Sequence, residues 1–180
     1  MIYIFLAQGF EEIEAITVID VLRRAGLDVN TVSVSGALQV EGAHQIPVIA
    51  DISINEVDMN KASVIVFPGG MPGTTNLDGS KEVEKIIFQA DKEGKWIAAI
   101  CAAPMILGKR GLLKGKEAVC YPGFEKYLEG AKVSTDKAVI SGKVITSRGA
   151  GTAMDFSCKI LEALGKKDKA DELRRNMIYE

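Results

Sequence analysis

A chain of 180 residues with 47% hydrophobic and 26% charged side chains has room for one substantial core, which excludes a disordered polypeptide and leaves two domains crowded. Its net charge of -2 gives no electrostatic case for nucleic acid or an anionic membrane, so small molecules or protein are the expected partners. No apolar run is long enough to span a bilayer, and Met1 leads into the strand-like I-Y-I-F-L-A rather than a charged-then-apolar leader, which predicts a cytoplasmic protein.

The three cysteines, Cys101, Cys120 and Cys158, are odd in number and widely spaced. They indicate neither a disulfide framework nor a C-x-x-C pair, so reduced thiols are expected. With His44 as the one histidine, no zinc site is expected, and any Cys-His pair has a single candidate.

Residues 2–7 read as a buried strand, and Gly9 breaks to a helix over Glu11 to Ala25, closed by Gly26. Along that helix Glu14, Val18, Val21 and Ala25 fall at i, i+4, i+7 and i+11, one stripe, with Thr17, Asp20, Arg23 and Arg24 opposite. Glu14 is therefore a carboxyl on the apolar side. Desolvation favours its neutral acid and makes it an acid-base candidate. The alternative is a first-turn glutamate that complements the helix dipole, which suits Glu11 and Glu12 better, because they take outer positions.

Val29 to Val34 makes a second strand, and alternation in Q-I-P-V-I-A suggests short antiparallel pieces between Ser35 and Asp51. His44 lies there and reads as a solvated surface residue, with nothing nearby to orient it as a base. Arg23 and Arg24 read as surface charges or an interface pair. Ser63 to Phe67 is a buried strand ending in P-G-G-M-P-G, whose glycines, Gly69 and Gly70 among them, allow backbone N–H groups to be aimed at an oxyanion. Neither G-x-G-x-x-G nor Walker spacing is present, so no nucleotide is implied.

Lys81 to Glu93 is an amphipathic helix, and W-I-A-A-I-C-A-A-P-M-I-L (Trp96 to Leu107) follows as a fully apolar strand turning into a helix with Cys101 on the joint. The first residue past a strand buried on both faces emerges at the carboxyl edge of the sheet, where open α/β proteins bind ligands. The small Ala102 and Ala103 allow close backbone approach, and Pro104 suits a first helical turn. The pattern is a nucleophile elbow with cysteine in place of serine. The competing reading of Cys101 is core packing.

Beyond the elbow, Gly108 to Gly115 is a basic loop, Glu117 to Cys120 a short strand, and Tyr121-Pro122-Gly123 a turn. Ala138 to Ile140 and Val144 to Thr146 form a hairpin, and T-S-R-G-A-G-T leads into a helix from Ala153 to Leu164 in which Cys158 is packing. The tail from Lys166 is a charged helix whose last residues, Met177-Ile178-Tyr179-Glu180, should dock on the body or on another subunit. The sum is a single α/β domain over residues 1–180, a doubly wound three-layer sandwich around a mostly parallel sheet.

The segments G-F-E-E-I-E-A (Gly9 to Ala15), V-F-P-G-G (Val66 to Gly70), A-A-I-C-A-A-P (Ala98 to Pro104) and T-S-R-G-A-G-T (Thr146 to Thr152) together resemble the ThiJ/PfpI superfamily, and within it the DJ-one branch. The resemblance implies a flavodoxin-like fold related to class I glutamine amidotransferases, a homodimer, and chemistry without metal or cofactor. It makes Cys101 an easily oxidised nucleophile and Glu14 the protonated carboxyl bonded to it. Gly70 and Ala102, with Gly69 beside them, become candidate oxyanion amides.

Two departures from the animal pattern stand out. Tyr121-Pro122 replaces a histidine-proline pair, and His44 falls where those proteins carry an arginine near the dimer interface. Arg24 matches an interface arginine, and Arg148 is a further candidate substrate or interface contact.

The function expected is conversion of reactive carbonyls, or removal of their adducts, by addition of a Cys101 thiolate to an aldehyde carbon. That chemistry needs a thiol lowered from about 8.5 by the helix N-terminus at the elbow. A redox-sensing chaperone using the same two residues is the competing expectation, and a cysteine protease or amidase is third.

Overall fold

The computed structural model describes residues 1–179. β1 (Ile2–Leu6) is apolar throughout and wholly buried. α1 (Glu12–Arg24) follows a tight turn, with Glu11 as its cap, and β2 (Val29–Ser33) returns alongside β1. β3 (Gln39–Glu41) and β4 (Pro47–Ile49) make a separate antiparallel hairpin, as the alternation predicted. β5 (Ile52–Ser53), a two-residue edge strand too short to leave a periodic signal, was not expected. β6 (Val64–Phe67), α2 (Gly73–Asp78), α3 (Lys81–Lys92), β7 (Trp96–Ile100) and α4 (Pro104–Lys109) lead through the centre. β8 (Glu117–Ala118) and β9 (Lys132–Val133) pair with each other. β10 (Ala138–Ser141), β11 (Val144–Ser147), α5 (Ala153–Ala163) and α6 (Lys167–Asn176) complete the chain.

The main sheet has the order β10-β11-β7-β6-β1-β2-β5, and every neighbouring pair is parallel except the β10–β11 hairpin. A parallel sheet must be covered on both faces, and alternation within each strand divides its side chains between two layers. Ile2, Ile4 and Leu6 of β1 pack on one side with Val18 and Leu22 of α1 and Phe156 and Ile160 of α5. Tyr3 and Phe5 pack on the other with Val83 and Ile87 of α3 and Ile106 of α4. This is the mostly parallel three-layer α/β sandwich read from the sequence.

Two local expectations need correction. The P-G-G-M-P-G turn runs directly into α2, whose polar sequence G-T-T-N-L-D carries no apolar stripe to announce it. The stretch read as a basic loop instead begins inside α4. Arg110, at the end of that helix, is buried against Asp78. The C-terminal residues do dock on the body: Tyr179 Oη donates to Asp155 Oδ2 at 2.6 Å, and Met177 packs on the core, while Ile178 is exposed. No helix among the described residues is long and apolar enough to cross a membrane.

Candidate active site

Chain order reverses about β1: β2 lies on one side of it and β6 on the other. A crevice opens at the carboxyl ends of strands on either side of such a switch point. The segments following β1, β6 and β7 all enter it, and they bring Glu14, Gly70 and Cys101 to one pocket of about 470 Å³.

Cys101 occupies the joint between β7 and α4 with φ of +63°, a left-handed conformation that an L-residue adopts at a cost of roughly 1–2 kcal/mol. Hydrogen bonds hold it there. Its N–H donates to the Ser147 carbonyl of β11 at 2.9 Å, and its own carbonyl accepts the Tyr121 N–H at 2.8 Å. The kink turns the side chain out of the sheet, so Cys101 is partly exposed while Cys120 and Cys158 are buried. The backbone N–H groups of Ala102 and Gly70 lie beside its sulfur and favour its charged form. Gly70 has φ of +87°, and a Cβ there would collide with the Glu11 backbone.

Glu14 is 1% exposed in the first turn of α1, on the apolar stripe where its spacing placed it. The Gly69 N–H donates to Glu14 Oε2 at 2.8 Å, so this amide is committed to the carboxyl and is not available to an oxyanion. Gly69 fits between the two functional side chains because it has none of its own. A Cβ on it would stand 2.6 Å from Cys101 Cβ and 2.7 Å from Glu14 Oε2. Glu14 Oε1 is buried and makes no hydrogen bond of regular geometry. Burial pushes the Glu14 carboxyl up to about 7, against the lowering influence of Cys101 and the Gly69 amide.

The expectation of a thiol lowered by the elbow helix meets opposing influences in the structure. Burial first, and then the Glu14 charge, push the Cys101 thiol up, and the Ala102 and Gly70 amides offset only part of this. Two acids in contact release their protons as a pair. The first proton leaves at the lower, Glu14-like value. The second leaves only against burial and like charge. The anion available near neutrality is thus a singly charged Glu14–Cys101 unit, in which Gly69 favours charge on the carboxyl and Gly70 and Ala102 favour it on sulfur.

The remaining candidates divide. Tyr121 lines the pocket and is 50% exposed. Arg148 lies outside it, with Nη1 3.4 Å from the Thr135 carbonyl, lining an adjoining cavity of about 340 Å³ that shares Tyr121 and Ala150 as its wall. Arg24 pairs with Asp20 at 2.7 Å on the surface of α1 and does not reach the pocket.

His44 does line the pocket, and the expectation that nothing orients it is wrong. Its Nδ1 lies 2.7 Å from Glu12 Oε2, and its backbone N–H donates to Glu12 Oε1 at 2.7 Å. Glu12, assigned to the outer side of the helix, is 6% exposed. Its spacing carried the signal, because it stands three residues before Ala15 and seven before Ile19, both buried.

The DJ-1/PfpI family model matches residues 1–163. The chain belongs to this family. It is similar to Protein DJ-1 homolog B of Arabidopsis thaliana, 41% identical over 170 residues that make up 93% of this chain and 39% of the plant protein. The chain therefore spans about two fifths of the length of that curated relative. It is 35% identical over 164 residues to a Caenorhabditis elegans protein named glutathione-independent glyoxalase DJR-1.2, covering 91% of this chain and 87% of the relative. The crystal structure of Drosophila melanogaster DJ-1beta superposes with a TM-score of 0.93 at 37% identity, over 98% of this chain and 96% of that one.

Proposed function

We propose that this chain is a cofactor-independent, cysteine-dependent enzyme of the glyoxalase type, acting on small reactive carbonyls or their adducts in the cytoplasm. The observation that carries this reading is the buried Glu14 carboxyl beside the Cys101 thiol, with the Gly70 and Ala102 backbone next to the sulfur, all lining one pocket. The likeness to a nematode protein named a glyoxalase supports the reaction class.

In the proposed cycle the Cys101 thiolate adds to an aldehyde carbon and the carbonyl π pair moves to oxygen, which takes the Glu14 proton. The carboxylate so formed then removes the carbon-bound hydrogen, and the resulting enediol becomes a hydroxyacyl thioester that water hydrolyses. The Gly70 and Ala102 N–H groups are placed to stabilise negative charge developing beside sulfur. In lactate formation from methylglyoxal by the purified protein, Cys101→Ala and Glu14→Gln should each reduce turnover to the buffer rate. Wild-type protein no faster than buffer would sink this reading.

A second reading, redox sensing at the same sulfur, is favoured by Cys101 being the one partly exposed cysteine of the three. Thiol oxidation follows thiolate character and access. Mass spectrometry of peroxide-treated protein separates the two: oxidation confined to Cys101 without turnover favours the sensor.

A homodimer belongs to the same proposal. Ile13 and Ile16 on α1 and Ile46 and Ile49 on the adjoining hairpin are 58%, 42%, 54% and 67% exposed. Exposed apolar side chains gathered on neighbouring elements are candidates for a protein contact surface.

A further inference from the structure

His44 stands in an arrangement that the proposed cycle has not used. Besides its two contacts with Glu12, its Nδ1 lies 3.6 Å from Glu11 Oε2. The Glu12 carboxylate is itself fixed, since it packs against Gly42, where any Cβ would collide with it. The turn that bears His44 is fastened to the loop before α1. The Gly9 N–H donates to the Glu41 carbonyl at 2.8 Å, and the Ala43 N–H donates to the Phe10 carbonyl at 2.8 Å. A carboxylate on Nδ1 selects the tautomer and orientation of an imidazole, which leaves Nε2 as the nitrogen available to substrate. The side chain is 68% exposed, so it exchanges protons with water, and it lines the pocket that holds Glu14 and Cys101.

We propose that Glu12 and His44 form the second acid-base unit of the Cys101 pocket, with His44 Nε2 donating a proton to the second carbonyl oxygen of an α-ketoaldehyde and Glu12 acting as its positioning residue. This rests on the glyoxalase reading above.

The step balances without a co-reactant other than water. After Cys101 has added to the aldehyde carbon, the Glu14 carboxylate removes the hydrogen on that carbon. The C–H electron pair becomes the C=C bond of the enediol, and the ketone π pair moves to its oxygen, which takes the Nε2 proton. As the thioester forms, Glu14 returns its proton to the former ketone carbon and the first hydroxyl gives its proton to solvent, and neutral His44 is reprotonated from solvent. The Glu12 hydrogen bond, with the Glu11 and Glu12 charges, raises His44 above the ordinary histidine value, which suits a proton donor near neutrality. The other titratable groups of the pocket are Glu14, Cys101 and Tyr121.

The test is methylglyoxal turnover against pH for wild type, H44Q, E12Q and the double variant, with iodoacetamide alkylation of Cys101 as a reading of the nucleophile alone. H44Q should alkylate at the wild-type rate yet lose about 10²-fold in kcat, together with the alkaline limb of its pH profile. E12Q should keep that limb but move it to lower pH. On the H44Q background it should change nothing further, as expected when one residue acts through another. The chain has a single histidine, so its imidazole NMR signals report the same titration without ambiguity and should move to lower pH in E12Q. Wild-type turnover with H44Q unchanged in kcat and pH profile overturns the His44 role alone. Fully multiplicative losses in the double variant overturn the pairing. A wild type without turnover overturns the glyoxalase reading and this one with it.

Discussion

Glu14 and Glu12 sit two residues apart on one helix and are handled in opposite ways by the same fold. Glu14 meets the sheet, loses its water and is pushed up to about 7, whereas Glu12, bonded to His44, is held below the ordinary carboxylate value although burial opposes this. An acid whose folded value is raised contributes stability that is complete below its unfolded value and is lost as pH rises through the folded one. Urea denaturation of the wild type should therefore show a loss on the order of 3 kcal/mol between pH 4.5 and about 7 that Glu14→Gln does not show. Parallel profiles for the two proteins would mean that Glu14 ionises without penalty. Glu14 was legible in the sequence because helical periodicity exposes a carboxyl on an apolar stripe. The orientation of His44 was not, since it depends on a hairpin turn meeting the start of α1 across 32 residues of chain, and no local pattern encodes that contact.

Among the elements, the apolar strands and the longer helices follow from periodicity alone, and their observed bounds lie close to those expected. What escaped are pieces set by tertiary contact. α2 is six residues long, and α4 ends in two cations that local reading leaves in a solvated loop. These two helices follow β6 and β7, the strands that deliver Gly70 and Cys101, and one aspartate clasps them together. Asp78 Oδ1 lies 2.6 Å from Arg110 Nη1, Asp78 Oδ2 lies 2.6 Å from Lys109 Nζ, and the Asp78 carbonyl accepts from Arg110 Nη2 at 2.9 Å. The Arg110 side chain is only 9% exposed, so loss of Asp78 leaves a charge held away from water with the half-exposed Glu84 carboxylate, 3.3 Å from its Nε, as its remaining counter-ion. Asp78→Ala should cost about 2–3 kcal/mol of unfolding free energy by urea denaturation. The clasp also fixes the relative position of the two turns, so the same variant should lower turnover more than it alters substrate affinity. A stability within 0.5 kcal/mol of wild type, the range of ordinary surface changes, would show that the clasp is solvated.

At the scale of the whole molecule, the apolar patch and the pocket meet at one residue, because Ile13 is both 58% exposed and part of the pocket wall. A second copy seated on α1 would cover that side chain and close one flank of the site. Analytical ultracentrifugation should give about twice the 19.4 kDa chain mass for the wild type and the single-chain mass for Ile16→Glu, with turnover reduced in the variant. A monomeric wild type would remove the dimer from the proposal. The elbow at Cys101 bears on the molecule's fitness as a folded object. A side chain at φ of +63° is a standing liability that glycine would remove, so Cys101→Gly is the rare active-site change placed to raise the unfolding temperature. Selection for thermostability alone would drive the position toward glycine. Retaining a cysteine there would then register a demand on the sulfur strong enough to outweigh a more stable backbone.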